Sequence, residues 1–490
     1  MRGALMVCGT TSDAGKSHVV TGLCRLLARR GISVAPFKAQ NMALNSYVTP
    51  SGHEIGRAQG VQALAAGVDP EVAMNPVLLK PTGERTSQVV VLGRAVAHLT
   101  AAEYHERKPE LLALVLDSLA DLRRRFDVVI CEGAGSPAEI NLLDNDIVNL
   151  RIAHDAGLPA IVVGDIDRGG VFAALYGTVA LLPDRYRGLV RGFVINKLRG
   201  DPALLFDAGA DLEARCGVPT LGVLPWIDGV ALDAEDSLAL AGPRPHTHAG
   251  ALRDGLDVVA IRFPRLSNFT DLDALALEPG VAVRLVDDPV GLGSTDLVVL
   301  PGTKATVADL AWLRGRGLDA AIRASGALVL GVCGGYQMLG HRIVDDVESG
   351  TGEVEGLGWL DVETVFEPAK VVRQVAGTAM GQRVTGYEIH HGRTKLGAGA
   401  APWVHLELEE EGAVDLLDAS VLGTSLHGLF EQDGFRGTFL TEVGRRSDKV
   451  FVPAGVSFAA ARQAQFDRLA DVVEDHLDMT ALERLIGEAR

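Results

Sequence analysis

The stretch Ala4–Leu23 reads ALMVCGTTSDAGKSHVVTGL. An apolar run suited to a buried strand ends at Gly9, a loop of small and polar residues follows, and a segment with helical spacing continues to Gly31. Strand, glycine loop and helix in that order place backbone N–H groups at a helix N-terminus, where they cradle phosphate. Thr11 and Gly15 belong to this loop. Lys16 is placed to neutralise β- and γ-phosphate oxygens, and Ser17 to ligate Mg²⁺. The strict phosphate-loop spacing asks for glycine where this chain has Thr10; the nearest glycine is Gly9. The loop is therefore a variant.

Outward from this stretch the same alternation repeats. ISVAPFK, DVVICEGAG, PAIVVGDID and RGFVINK are apolar runs with polar tips, separated by helical segments such as LLALVLDSLADLRRRF. This is the pattern of parallel sheets covered by helices, with chemistry at the strand ends. Glu132 ends one such run and suits Mg²⁺ held against nucleotide phosphates. Asn196, followed by Lys197, ends another, at a base-recognition or phosphate-side position.

From about Asp236 to Gly255 periodicity stops in SLALAGPRPHTHAGALRDG, which reads as a linker. A second alternation begins with DVVAIRF, DLVVLPGTK and GALVLGVCGG, and VHLELEEEG reads as a later strand pair. The expected organisation is α/β with two doubly wound parallel-sheet domains. They span 1–235 and 257–440, with a linker at 236–256 and a helical extension at 441–490.

Composition bounds the function. The chain has 490 residues, 47% hydrophobic, with 57 glycines and formal net charge -17. Nucleic-acid backbone and anionic membrane would be repelled on average, so neither is an expected partner. The five cysteines include no CxxC pair. An odd count without metal spacing points to a reducing compartment and excludes a disulfide framework. The expectation is a cytoplasmic enzyme.

Leu328–Gly340 reads LVLGVCGGYQMLG, a buried strand, then Cys333, two glycines and a helix. A tight turn of this kind exposes the sulfur and leaves the Gly334 N–H facing an oxyanion. The helix N-terminus lowers the thiol pKa. LPGTKAT supplies Gly302 and Thr303 as the second oxyanion donor. His427, in SLHGLFE, is placed to take the thiol proton and return one to leaving ammonia.

Several stretches together resemble the cobyric acid synthases of the cobalamin pathway: GTTSDAGKS, PFKAQNMALNSYVTPSGHEIGRAQGVQALAA, MNPVLLKP, GDIDRGGVFA and NKLRGD. The loop has the spacing of dethiobiotin synthetase-like ATPases. The sister family, the cobyrinic acid a,c-diamide synthases, carries K-x-G-P-D-Y-I-D where this chain has KAQNMALNS. The resemblance implies an N-terminal synthetase and a C-terminal class I glutamine amidotransferase domain.

The implied partners are adenosylcobyrinic acid a,c-diamide, glutamine and ATP. Its b, d, e and g carboxylates become amides, each activated by phosphorylation. ATP and Mg²⁺ enter as a substrate complex, with no permanently bound cofactor. The resemblance gives Lys38, Arg57, Lys80 and Arg168 an acidic corrinoid to meet, and Gln40, Asn41 and Asn45 its amide rim. Ammonia is expected to pass between the domains without reaching bulk water.

Class I amidotransferases carry a glutamate two residues after the histidine, but here that position is Leu429. The orienting acid is thus absent or comes from elsewhere; Glu431 is near in sequence. GYEIHHGRT places Glu388 and His390 on a strand at the glutamine pocket, at a domain interface, or simply at a hydrogen-bonded strand end. Rival readings are the a,c-diamide synthase, an amidase of cell-wall intermediates, and a non-enzymatic nucleotide switch with an inert glutaminase half. The intact Cys333, Gly334 and His427 speak against the last.

Overall fold

The structure is a computed structural model describing residues 1–83, 85–230 and 255–489. The chain divides into two compact units, one of 1–43, 53–230 and 462–490, the other of 44–52 and 231–461. Two features of this division are absent from the sequence reading: the short segment 44–52 belongs to the second unit, and the helical tail from 462 to the first. Most of the stretch read as a linker, 236–256, lies outside the described residues.

In the first unit six strands form one sheet in the order Thr220–Pro225, Val190–Leu198, Ala160–Asp165, Gly3–Gly9, Val128–Glu132 and Val34–Phe37, all parallel. The inner strands VVICE and AIVVGD are buried at every position, which is why they read as continuous apolar runs. From the central strand Gly3–Gly9 the chain goes to the edge strand Val34–Phe37, returns to Val128–Glu132, and then crosses to the other side of Gly3–Gly9 and winds outward through Ala160–Asp165. The C-terminal end of Gly3–Gly9 is therefore a switch point where a ligand can sit between diverging loops. The tail helix Met479–Glu488 packs on this strand so closely that a Cβ on Gly3 would lie 1.7 Å from the Ile486 carbonyl oxygen. A four-stranded sheet, Gln40–Met42, Val77–Pro81, Thr86–Val91 and Arg94–Thr100, lies off the main one. The helix Ala101–Arg125 follows it, opened by a capping box between Thr100 and Glu103.

The second unit has a seven-stranded sheet in the order Val281–Val286, Leu256–Ile261, Leu297–Leu300, Leu328–Val332, Val421–Thr424, Ala413–Asp415 and Ala400–Ala401. Its first five strands are parallel and its last two antiparallel. A long hairpin, Val362–Ala379 with Gln382–Leu396, builds a further sheet. VHLELEEEG forms the expected antiparallel pair, Val404–Leu406 with Glu410–Glu411. Both units are thus α/β with parallel-dominated sheets. No helix among the described residues is long and apolar enough to cross a membrane.

One charge is built into the second core. Arg436 is fully buried; it donates to Glu278 at 2.9 Å, to Asp433 at 3.0 Å, and to the carbonyls of Phe430 and Val456. Removing it strands a buried carboxylate. Arg436→Met is expected to destabilise this unit by about 3–5 kcal/mol in chemical denaturation, and pairing it with Glu278→Gln to recover part of that loss.

Candidate functional site

The phosphate loop of the first unit is a short 3₁₀ turn, Ser12–Ala14, closed by Gly15 at φ 94° and entering the helix Lys16–Arg29. Gly15 is required there twice over. Its φ is left-handed, and a Cβ would sit 2.1 Å from the Asn196 carboxamide nitrogen. Thr11 precedes the turn in an extended, exposed conformation. Lys16 is buried and donates to the carbonyls of Thr11 at 2.8 Å and Ser12 at 3.1 Å, so its charge lies along the loop.

Asn196 donates to the Ala14 carbonyl at 2.8 Å, and Lys197, at φ 64°, reaches the Asp13 carbonyl and Asp165. The Asn196 contact braces the loop from beneath and is not a free edge turned toward a base.

Glu132 is the hub behind the loop. It is 1% exposed; one oxygen accepts from Ser17 at 2.9 Å and from Lys38 at 2.9 Å, the other from Gln62 at 2.5 Å. The Ser17 hydroxyl and the Glu132 carboxylate are two adjacent hard-oxygen donors. Mg²⁺ keeps several waters and takes only one or two carboxylates beside substrate phosphates, so this donor set fits it. No cluster of three or more His, Cys, Asp or Glu residues suited to a metal occurs among the described residues.

The residues nominated for the corrinoid are mostly turned inward. Lys38 is held on Glu132, Asn41 donates to Gln59 at 3.0 Å, and Gln40 accepts from Tyr104 at 2.5 Å. Asn45 and Arg57 are buried, and Lys80 is buried against Glu54 at 2.6 Å. Arg168 alone is well exposed, beside Asp13 at 2.9 Å. For Lys38, Gln40, Asn41 and Lys80, internal partners take the place of the ligand-facing edges that the sequence reading gave them.

In the second unit four parallel strands deliver their C-terminal ends to one point. Cys333 follows Leu328–Val332 at φ 51°, ψ -108°, a strained conformation for a non-glycine residue and the signature of an elbow. The turn is possible because the following glycines let backbone approach backbone. A Cβ on Gly335 would lie 1.9 Å from the Leu300 carbonyl oxygen, and one on Gly334 2.7 Å from Thr303 Cγ2.

Gly302 and Thr303 follow Leu297–Leu300. Ser267 N donates to Gly302 O and Lys304 N to Arg265 O, so this pairing does not draw on the Thr303 amide. The Thr303 hydroxyl is bound to Asp309. His427 follows Val421–Thr424 and is fully buried, with its backbone paired to Tyr387 and its ring stacked on the Tyr387 ring at 5.2 Å.

The orienting acid is Asp271, which sequence reasoning missed. It opens the short helix Asp271–Ala276 after Leu256–Ile261. Asp271 Oδ2 lies 2.7 Å from His427 Nδ1, and its Oδ1 accepts from Gly428 N at 2.6 Å. One carboxylate thus fixes both the ring and the backbone beside it. Glu431 lies in the 3₁₀ turn Leu429–Glu431 beyond the histidine, and Asp271 occupies the Nδ1 edge. The signal was in SNFTDLDAL, an acid straight after a polar turn at a strand's C-terminal end.

Burial alone would push the imidazolium down, but Asp271 and the Cys333 sulfur outweigh it and raise the His427 pKa to about 10. Burial would likewise push the Cys333 thiol up. The hydrogen bond and charge of His427, with His390 and the Gly334 amide, bring it below its ordinary value. Both shifts run in the direction that favours a thiolate beside an imidazolium. His390 is held by Glu388 at 3.3 Å and by the Gly392 carbonyl at 2.7 Å, and Glu388 is also paired with Arg373. Both lie on the Gln382–Leu396 strand.

Comparison with known proteins agrees with this geometry in each unit. Residues 5–239 match the CobQ/CobB/MinD/ParA nucleotide-binding domain, and residues 257–435 match the CobB/CobQ-like glutamine amidotransferase domain. Over its whole length the chain is 54% identical to cobyric acid synthase of Frankia casuarinae, covering 100% of this chain and 97% of that one. It is 56% identical to the enzyme of Rhodococcus jostii, covering 99% and 96%, and 56% identical to that of Saccharopolyspora erythraea, covering 99% and 94%. The chain belongs to the cobyric acid synthase family.

Within a cobyric acid synthase framework, the missing glutamate after the histidine is a relocation. The acid arrives from the first strand of the sheet instead of from the histidine's own loop. This predicts the behaviour of the thiol. Iodoacetamide should alkylate the Cys333 peptide with an inflection below the roughly 8.5 of a free cysteine. The buried Cys8, Cys24 and Cys131, whose thiols burial pushes up, should stay unlabelled. Asp271→Asn removes the main support of the imidazolium, so the thiolate loses its counter-charge. Peptide mapping across pH should then show the inflection moving upward.

Proposed function

We propose that this chain converts adenosylcobyrinic acid a,c-diamide to adenosylcobyric acid, amidating the b, d, e and g carboxylates with glutamine nitrogen at the expense of ATP. The reaction class follows from the family: it is an ATP-dependent, glutamine-hydrolysing amidoligase of cobalamin biosynthesis. The observation that carries the residue assignments is the buried line Cys333–His427–Asp271 in one unit and the Lys16 loop backed by Ser17 and Glu132 in the other. Each is a complete set of groups for one half-reaction. A cytoplasmic, reducing setting suits five unpaired cysteines.

In the glutaminase half the Cys333 sulfur attacks the glutamine side-chain carbonyl. The negative charge that develops on oxygen is met by the Gly334 amide and by an amide of the Gly302–Thr303 loop. His427 gives its proton to the nitrogen, the C–N bond breaks and ammonia leaves a glutamyl thioester. His427, neutral now and held by Asp271, takes a proton from water. The water oxygen displaces the sulfur and glutamate departs.

In the synthetase half a corrinoid carboxylate oxygen attacks the γ-phosphorus of ATP and ADP leaves. Lys16 and the loop amides hold the phosphates, and Ser17 with Glu132 would hold Mg²⁺, which supplies charge neutralisation there. Phosphate is a far better leaving group than oxide. Ammonia adds to the acyl phosphate carbon, the C–O bond breaks, and inorganic phosphate and a proton are released. Lys38, paired with Glu132 at 2.9 Å, holds the Glu132 carboxylate in place.

Mass spectrometry of the corrinoid after incubation with ATP, Mg²⁺ and glutamine tests the reading. Four successive exchanges of acid for amide are expected on the a,c-diamide; amidation of cobyrinic acid at a and c, with the diamide left unchanged, would instead mark the sister activity. Cys333→Ala should abolish turnover with glutamine and retain it with ammonium salts at mildly alkaline pH. Lys16→Ala should do the reverse, sparing glutamine hydrolysis while amidation falls by at least about a hundredfold, the scale lost with one charge-stabilising group. Glutamine-dependent amidation surviving in the Cys333 variant would falsify the nucleophile assignment.

A further inference from the structure

The Asp271–His427–Cys333 line leaves one contact unexplained. Asn268 is buried, and it stands at φ 51°, in the left-handed region that asparagine tolerates better than most residues. Its Oδ1 accepts from the Ser46 amide at 2.8 Å. Its Nδ2 lies 3.4 Å from His427 Nε2, the nitrogen that serves the sulfur. Because Oδ1 is committed to an N–H donor, the carboxamide cannot turn over without losing that bond. The edge presented to the imidazole is therefore a donor edge. A donor facing Nε2 is favourable when that nitrogen carries a lone pair and unfavourable when it carries a proton.

We propose that Asn268, locked by the Ser46 amide, is a positioning residue of the glutaminase centre that disfavours a proton on His427 Nε2 and so lets the imidazole release it. This rests on the Cys333–His427 glutaminase reading and deepens it.

The chemistry needs such a counterweight. Asp271 on Nδ1 and the Cys333 sulfur both stabilise the imidazolium. Left alone they would make His427 a willing base and a reluctant acid. Yet it must give its proton to departing ammonia, and in the thioester state it must offer Nε2 as a lone pair to water. The other groups near the ring do not supply the opposition. Tyr387 is stacked on its face, and His390, paired with Glu388, acts on the thiol side. Gly302 packs against the ring with no charge. Asn268 alone among these turns an uncharged donor edge to Nε2.

Ser46 gives the lock a second meaning. It sits in the segment 44–52, which belongs to the second unit although the chain on both sides of it belongs to the first. The residue that fixes the carboxamide is thus carried by a short excursion of the chain between two stretches of the first unit.

The test reads the imidazole directly. In Cys333→Ala the thiolate no longer supports the charge, and the titration of His427 is followed by NMR of protein labelled with ¹³C at histidine Cε1. Adding Asn268→Asp keeps the positive φ and an acceptor for Ser46 N but replaces the donor edge with a carboxylate. The His427 inflection should then rise by about one pH unit, the low end of the range for a neighbouring opposite charge. Asn268→Gly, which keeps φ and removes the side chain, should raise it by less. It carries the test should the aspartate variant fail to fold. An inflection that stays put or falls in Asn268→Gly overturns the proposal, because that variant only removes the donor edge; the rise in Asn268→Asp, which any carboxylate at that place would give, supports only that the side chain faces Nε2. Glutamine hydrolysis persisting in Cys333→Ala itself would overturn the glutaminase reading instead, so the two failures are told apart before any Asn268 variant is made.

Discussion

A fully buried imidazole cannot hold a proton without a counter-charge, and in the second unit that constraint organises the whole sheet edge. Asp271 must reach His427 Nδ1, so the strand Leu256–Ile261 has to end beside the loop of His427 although two strands lie between them in the sheet. The polar turn Ser267–Thr270 carries the chain across that gap, pinned where Ser267 N meets Gly302 O. The elbow at Cys333 fits beneath it only because Gly334 and Gly335 let the chain approach Thr303 and Leu300. Four strand ends are thus positioned by one electrostatic requirement. The backbone strain at Cys333 is held in place by the same packing.

The phosphate end of the first unit solves the opposite problem, a buried carboxylate. Glu132 is paired with Lys38 and hydrogen-bonded by Ser17 and Gln62. Burying a carboxylate without partners is costly, and these three contacts offset that cost. The helix residue Gln62 and the strand-end residue Lys38 therefore serve the site without reaching a ligand.

What was legible in the sequence was whatever is local. Apolar runs ending in glycine or polar tips gave the strands and the two parallel-sheet domains, because a strand buried on both faces reads as a continuous apolar run. The loop Gly15–Ser17 and the elbow around Cys333 were legible for the same reason, since a tight turn writes its glycines into adjacent positions. Asp271 was not, because its partner is 156 residues away and nothing in its neighbours records which ring it will meet. The Glu132 hub escaped in part. Its position at a strand end was plain, but its bonding to three side chains depends in part on the packing of the helix Arg57–Ala66, which carries Gln62. The inward turn of Lys38, Asn41 and Arg57 escaped for that reason too, since side chains that look like ligand contacts in a polar motif are consumed by each other once the helix docks. The segment 44–52 and the tail from 462 could not be assigned to a unit from composition, because each is short and continuous with its neighbours in the chain.

The relocation of the orienting acid has a consequence for how the centre tolerates change. When the acid lies two residues after the histidine, the loop that carries the base also carries its support, and the two move together. Here base and acid ride on different strands. The His427 loop can shift only by breaking two bonds to one carboxylate, the ring contact at 2.7 Å and the Gly428 amide contact at 2.6 Å. That makes the base stiffer with respect to the sheet. It also ties its charge to whatever lies next to Asp271 in sequence. Asn268 is three residues before it, so the group that supports the imidazolium and the group that opposes it share one turn of chain. A displacement of that turn alters both terms at once, and the balance between base and acid in His427 becomes a property of the turn Ser267–Asp271 and not of the histidine's own surroundings.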